Sequence, residues 1–188
     1  MKKIILASAS PRRKQLLELA EIQFEVMVSN IDESFPSELP PSQVAMHIAE
    51  NKALSVQKKL ANRNGYTIIS ADTVVTLKKE ILNKPADREE AIRMLAKLSG
   101  KTHKVTTGVC IVSASNKALF AEQTEVEFLF LSKEQIEYYV DHFKPYDKAG
   151  AYAIQEWIGA IGVKSIKGDF YNVMGLPVSR VVAELKRF

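Results

Sequence analysis

Two carboxylates in unusual settings and a handful of cations are the residues in this chain best suited to chemistry. Asp72 stands between residues 66–71 and 73–77, two apolar stretches rich in β-branched side chains that read as strand. An aspartate there is costly to bury unpaired, so it either caps a turn or is held for chemistry. Glu33 lies in SNIDESFPSELPPS, a proline-rich loop, and residues 29–50 hold four carboxylates with no Lys or Arg. Residues 1–17 are the reverse, with five basic residues (Lys2, Lys3, Arg12, Arg13, Lys14) and no acidic one. Within them Ser8, Ser10 and Pro11 separate the apolar run Ile4-Ile5-Leu6-Ala7 from the cations. Lys52 and Lys84 are further lone lysines. Cations grip phosphate oxygens, Arg in bidentate fashion. Carboxylates hold Mg²⁺ or Mn²⁺, or take a proton from attacking water. Together these parts suit hydrolysis of a polyphosphate.

Those residues need elements to place them. Residues 4–7 read as a short buried strand, Ser10 as a helix N-cap and Pro11 as the first helical residue, whose missing N–H would have no partner there. Leu16, Leu17 and Ala20 give that helix its apolar face. Cations in a first turn oppose the helix dipole, which makes sense if an anion sits among the free N–H groups; the alternative is a solvated basic helix start. Residues 24–28 predict a second strand. A helix is expected from Ser42, its N-cap, with Val44, Ala45, Ile48, Ala49 and Ala53 on one face. Lys52 lies near that face, where a lysine commonly snorkels to solvent. The turn Lys78-Lys79-Glu80 predicts a hairpin that returns Lys84 alongside the Asp72 region, and Pro85 ends it.

Further on, residues 87–99 predict an amphipathic helix, capped by Asp87 with Glu90 at capping-box spacing and ended by Gly100. Residues 104–113 and 118–131 read as long strands joined near Ser115-Asn116, with Glu122, Glu125 and Glu127 on a solvated face. Ser132 and Gln135 open a helix that runs to His142. Five of the eight glycines fall after residue 149, and with Gln155, Trp157, Asp169 and Asn172 they predict an irregular wall close to a ligand. Leu176-Pro177 starts a closing helix.

Several classes are excluded. There is no GxxxxGK[ST], GxGxxG or GxSxG motif, and His47, His103 and His142 are too isolated for a zinc set. The net charge of +4 is too mild to imply nucleic acid. Cys110, the single cysteine, sits in an apolar strand pattern and reads as a small buried hydrophobe. The four-residue apolar run near the N-terminus is short for a signal peptide, and no stretch is long enough for a membrane span. At 188 residues the expectation is one cytoplasmic domain, residues 1–188, with two lobes sharing one sheet.

LASASPRRKQLL, VSNIDES, AENKA, SADTVV, Lys84-Pro85, DKAGAYAIQ and GDFYNVMGLP resemble the Maf family of nucleoside triphosphate pyrophosphatases, in the same order and nearly end to end. The resemblance implies an α/β fold of the inosine-triphosphatase-like kind: a long twisted mixed sheet with helices on both sides and two lobes around a cleft. It implies cleavage between the α- and β-phosphates of a nucleotide, with a divalent metal, to a monophosphate and pyrophosphate. Asp72 occupies the family's proposed proton acceptor position. Arg12, Thr73 and Gln155 stand at the three places that mark the branch acting on dTTP and UTP rather than on 7-methyl-GTP. In this picture Ser8, Ser10, Arg13, Lys52 and Lys84 bind phosphate, while Glu33, with Asp72, holds the metal. Family analogy also implies a homodimer, and no nucleic-acid or membrane partner.

The chain departs from the family pattern in places. Ser70 and Asn83 stand where glycine is common, Lys167 where an acidic residue is frequent, and Glu156-Trp157 where glycine usually follows the glutamine. The rival reading is a nucleotide-binding regulator with little turnover, since the family takes its name from an effect on septum formation. Asp72 and Glu33 argue against it, because binding alone needs cations more than carboxylates.

Overall fold

The N-terminal apolar run becomes strand β1 (Lys3–Leu6), with Ile5 and Leu6 fully buried. The computed structural model describes residues 3–60 and 65–188, so Lys2, one of the five early cations, lies outside the described residues. β1 runs parallel to β2 (Phe24–Val26) and to β3 (Tyr66–Leu77), with Ile5 opposite both Glu25 and Ile68. Parallel partners on both sides explain why this strand carries an unbroken apolar run. β3 turns through Lys78 at φ +57° into β4 (Glu80–Leu82), antiparallel with Val75 opposite Leu82, as the hairpin expectation required. β5 (Thr102–Val112), β6 (Lys117–Phe128) and β7 (Val163–Lys167) complete a seven-stranded mixed sheet in the order β2-β1-β3-β5-β6-β7, with β4 on β3.

The helices are α1 (Pro11–Leu19), α2 (Pro41–Lys59), α3 (Arg88–Leu98), α4 (Lys133–Phe143), α5 (Trp157–Gly162), α6 (Phe170–Met174) and α7 (Val178–Leu185). Two have the caps that their sequences announce. Asp87 accepts from the Glu90 N–H at 2.7 Å, and Ser132 and Gln135 form a reciprocal capping box. Three expectations need correction. α2 begins at Pro41 behind Pro40 rather than at a Ser42 cap, because a proline loses nothing at a helix position that has no N–H partner. β3 is continuous through Asp72, which finds a partner and so need not leave the strand. The last third is not an irregular wall: it holds a single 3₁₀ turn (Ala149–Ala151), α5, β7 and α6 before the closing helix.

By contacts the chain divides into two compact units. One takes Met1–Thr73, Thr107–Glu122 and Gly175–Phe188; the other takes Val74–Thr106 and Gln123–Met174. The division cuts β3, β5 and β6 along their length. A core of the first unit joins Ile5, Ala49, Ala53, Val56, Ile68 and Cys110. Burial pushes the Cys110 thiol up to about 11, which leaves it an unreactive apolar side chain as its strand context predicted. The second unit's core is larger and aromatic. His103, Phe128 and Tyr152 meet edge to face there, with Tyr139, Leu95 and Leu98 among their buried neighbours.

Candidate active site

The junction of β1 and α1 is built as the sequence indicated. Ser10 occupies the N-cap position and Pro11 the first helical one, but the Ser10 side chain makes no capping bond. The Ser10 hydroxyl therefore caps none of the first-turn N–H groups of α1. Ser8 is buried and accepts from the Ser10 N–H at 3.2 Å. Arg12 is half-buried in the same turn.

Arg13 points inward. Its Nε donates to the Gly175 carbonyl at 2.8 Å, and its terminal nitrogens donate to Ser8 Oγ at 3.2 Å and Thr73 Oγ1 at 3.0 Å. Each terminal nitrogen keeps a second N–H. Gly175 presents its carbonyl at φ +122°, a backbone state that other residues reach only with strain. Burial lowers the Arg13 pKa; the negative charges of Asp72 and Glu33 oppose that shift, and Arg12 adds to it. An arginine stays protonated in a protein, so the result is a buried, partly compensated cation. Thr73 also shares a hydrogen bond with Thr107 at 2.9 Å.

Lys52 is the second buried cation, and it does not snorkel. Its Nζ lies 2.7 Å from Asp72 Oδ1 and 2.7 Å from Glu33 Oε1, with side-chain exposures of 9%, 13% and 43% in that order. The two carboxylate oxygens are thus no farther apart than twice that distance. Desolvation of the ammonium is offset by two charged partners rather than one. Oδ2 of Asp72 has no hydrogen bond among the described residues. Ser70 helps fix this geometry: its hydroxyl donates to the Ala49 carbonyl at 2.6 Å, tying β3 to α2 one turn before Lys52.

The site residues are therefore carried as follows. The first unit brings Ser8, Ser10, Arg13 and Thr73 into one network and Glu33, Lys52 and Asp72 into another, with Arg12 beside the first. The second unit carries Lys84, exposed after β4, and Gln155, exposed with an amide that makes no hydrogen bond among the described residues. Sequence reasoning missed Thr107 and the Gly175 carbonyl. Thr107 lies in an ordinary strand pattern, and a backbone acceptor has no residue signature.

As a metal site, the described residues hold no group of three or more His, Cys, Asp or Glu side chains suited to an ion. Glu33 and Asp72 supply two carboxylates, both shared with the ammonium of Lys52 at 2.7 Å. Mg²⁺ commonly takes one or two carboxylates and completes its shell with water and substrate phosphate.

A fold and a site of this kind define a class, and the sequence places the chain within it. The family model described as Maf-like protein matches residues 3–188, and the chain belongs to that family. Among its relatives are proteins named dTTP/UTP pyrophosphatase from Bacillus cereus (strain G9842), 50% identical over all of this chain and 96% of that protein, and from Parabacteroides distasonis, 48% identical over 99% of this chain and 96% of that protein. A third from Cytophaga hutchinsonii is 48% identical over 98% of this chain and 83% of that protein. Among solved structures, the Staphylococcus aureus Ham1 protein aligns with a TM-score of 0.45 at 14% identity, over 68% of this chain and 72% of that one. No helix among the described residues is long and apolar enough to cross a membrane.

Proposed function

We propose that this chain hydrolyses dTTP and UTP between the α- and β-phosphates, releasing a nucleoside monophosphate and pyrophosphate. The names of its full-length relatives support the substrate, and one geometric observation supports the chemistry. Lys52 is clamped between Asp72 and Glu33, so two carboxylates are held beside buried cations. A protein that merely bound nucleotides would need cations more than carboxylates near a polyphosphate.

In this reading Asp72 is the proton acceptor. Lys52 holds one oxygen and so orients the carboxylate, leaving Oδ2 for the attacking water. The uncapped start of α1, Ser8, Ser10, the remaining N–H groups of Arg13, Lys52 and Lys84 receive the phosphates. Glu33 and Asp72 would hold a divalent cation. When bound, Mg²⁺ or Mn²⁺ neutralises charge on the phosphate oxygens. Gln155 reads the base, with Arg12 and Thr73 setting the space around it. One amide can donate to a uracil or thymine carbonyl and accept from N3–H. The enzyme works as a cytoplasmic homodimer with a free nucleotide, rather than a nucleic acid, as its substrate.

The test is pyrophosphate release over a nucleotide panel with Mg²⁺ or Mn²⁺ supplied. dTTP and UTP are expected to be good substrates. CTP, the purine triphosphates and 7-methyl-GTP are expected at least about ten-fold worse in kcat/KM, a gap of ~1.4 kcal/mol. Equal efficiency on GTP or 7-methyl-GTP would remove the pyrimidine assignment, and nucleotide binding without pyrophosphate release would favour the regulator.

A further inference from the structure

Gln155 sits at the third position of a tight turn that is pinned from several directions. The turn runs from Ala153 to Glu156 and is closed by the Glu156 N–H donating to the Ala153 carbonyl at 3.1 Å. The hydroxyl of Tyr139, on α4, touches both ends of it. That oxygen accepts from the Ala153 N–H at 3.1 Å and donates to Glu156 Oε2. The other Glu156 oxygen faces the buried ammonium of Lys148 at 3.6 Å, and Lys148 is also 2.7 Å from Asp147. The Glu156 carbonyl accepts from the Gly159 N–H at 2.9 Å, which joins the turn to the start of α5. Gly159 permits the close approach: a Cβ there would lie 1.7 Å from the Ile154 carbonyl oxygen.

Tyr139 is itself fully buried in the aromatic core, and its ring stacks on Phe143 with centroids 5.0 Å apart. A phenylalanine would fill the same space, so packing alone gives no reason for the hydroxyl. That oxygen satisfies one backbone donor and one carboxylate, and those are the two residues bounding the Gln155 turn.

We propose that Tyr139 is a positioning residue for base selection, holding the Gln155 turn through Ala153 and Glu156 so that the glutamine amide meets the base from one fixed direction. The proposal rests on Gln155 reading the base. Uracil and cytosine present opposite donor and acceptor patterns at N3 and C4, and a loosely held glutamine could satisfy either by turning its amide over. A site whose groups are held in place rejects the wrong edge because buried partners are left unpaired. Selectivity should therefore depend on what holds the turn as well as on Gln155.

The experiment measures kcat and KM for UTP and CTP, with thermal melts, on wild type, Tyr139→Phe, Glu156→Gly, Glu156→Gln and Gln155→Ala. Tyr139→Phe and Glu156→Gly are each expected to lower the UTP-to-CTP ratio of kcat/KM about ten-fold, mainly through a higher KM for UTP. Glu156→Gln keeps an acceptor for the tyrosine hydroxyl and is expected to retain most of the ratio. A merely structural role would reduce both substrates together and leave the ratio alone, so an unchanged ratio in both variants overturns the proposal. Should Tyr139→Phe fail to fold, Glu156→Gly decides by the same ratio. Gln155→Ala separates the two layers. If it abolishes the preference while Tyr139→Phe and Glu156→Gly do not, only the positioning role is overturned; if the preference survives it, the base-reading role of Gln155 and the positioning role fall together.

Discussion

Arg13 and Lys52 of the first unit are both buried, and both spend their charge on neighbours: Arg13 on Ser8, Thr73 and a backbone carbonyl, Lys52 on two carboxylates. Gln155 of the second unit is exposed with its amide unengaged, yet the turn beneath it is tied at both ends. One unit fixes side chains; the other fixes backbone and leaves a side chain uncommitted. Under the proposed function, the difference matches two tasks. Groups that stabilise developing charge work best when they need not reorganise, so they are held by one another before substrate arrives. A group that reads a base must exchange hydrogen bonds with it, so it is kept unpaired until the base comes.

The largest effect should come from breaking the first pattern at its reacting end. Asp72→Asn keeps the size and one acceptor oxygen but loses the base and one of the two charges that offset burial of Lys52, and turnover of the folded variant should fall by roughly 10²-fold or more. A well-folded variant at near wild-type rate would return Asp72 to a structural role. Next, Arg13→Ala leaves three acceptors without their shared donor and should cost about 3 kcal/mol of stability, read by urea denaturation. Arg13→Lys should recover only part of that, since an ammonium lacks the guanidinium's fork. A loss under ~0.5 kcal/mol for Arg13→Ala would show that the inward network contributes little.

The second unit can be probed through pH. His103 is buried against Phe128 and Tyr152, and burial pushes its pKa from 6.5 down to about 4, so the folded state keeps it neutral. The unfolded chain takes up the proton first as pH falls, so His103 opposes folding below pH 6.5. Its effect grows until about pH 4 and amounts to about 2 kcal/mol between pH 7 and pH 5. Denaturation midpoints measured across that window should fall in the wild type and fall less in His103→Gln. Equal slopes would mean the histidine is not held neutral. The smallest effect concerns the uncommitted side chain. Gln155→Glu cannot donate to a carbonyl, so UTP turnover should drop about ten-fold while stability stays within ~0.5 kcal/mol of wild type. A matching loss with CTP would disconnect Gln155 from base reading.

The sequence announced some of this architecture because particular residues have one local use. Pro11 behind Ser10, Asp87 with Glu90, and Ser132 with Gln135 mark helix starts by their chemistry, and each helix begins there. The Ser42 cap was misread because Pro40 and Pro41 suit a helix start equally well and stand two residues earlier. Asp72 looked like a strand interruption because the lysine that satisfies it is 20 residues away on a helix. The same separation hid the burial of Lys52, since a single lysine near an apolar face usually does reach solvent. Glycine density suggests irregularity after residue 149, yet Gly150, Gly159, Gly162 and Gly168 stand where a Cβ would crowd a neighbour, as at Gly159 against the Ile154 carbonyl. Local signals were legible and pairings across the chain were not.

The bond from Arg13 to the Gly175 carbonyl spans 162 positions of sequence. A ribosome delivers the arginine 162 residues before its acceptor, so the nascent chain carries an uncovered guanidinium throughout that stretch of elongation. Contacts of such long range must close a large loop before they contribute, which delays them relative to the helices and hairpins. The Arg13 network should therefore be among the last parts to mature. In pulse-labelled refolding, amides around Ser8 and Thr73 should gain protection after those of α3 and the β3–β4 hairpin. A chain halted before Gly175 would carry Ser8, Arg13 and Thr73 without the carbonyl that holds the guanidinium Nε.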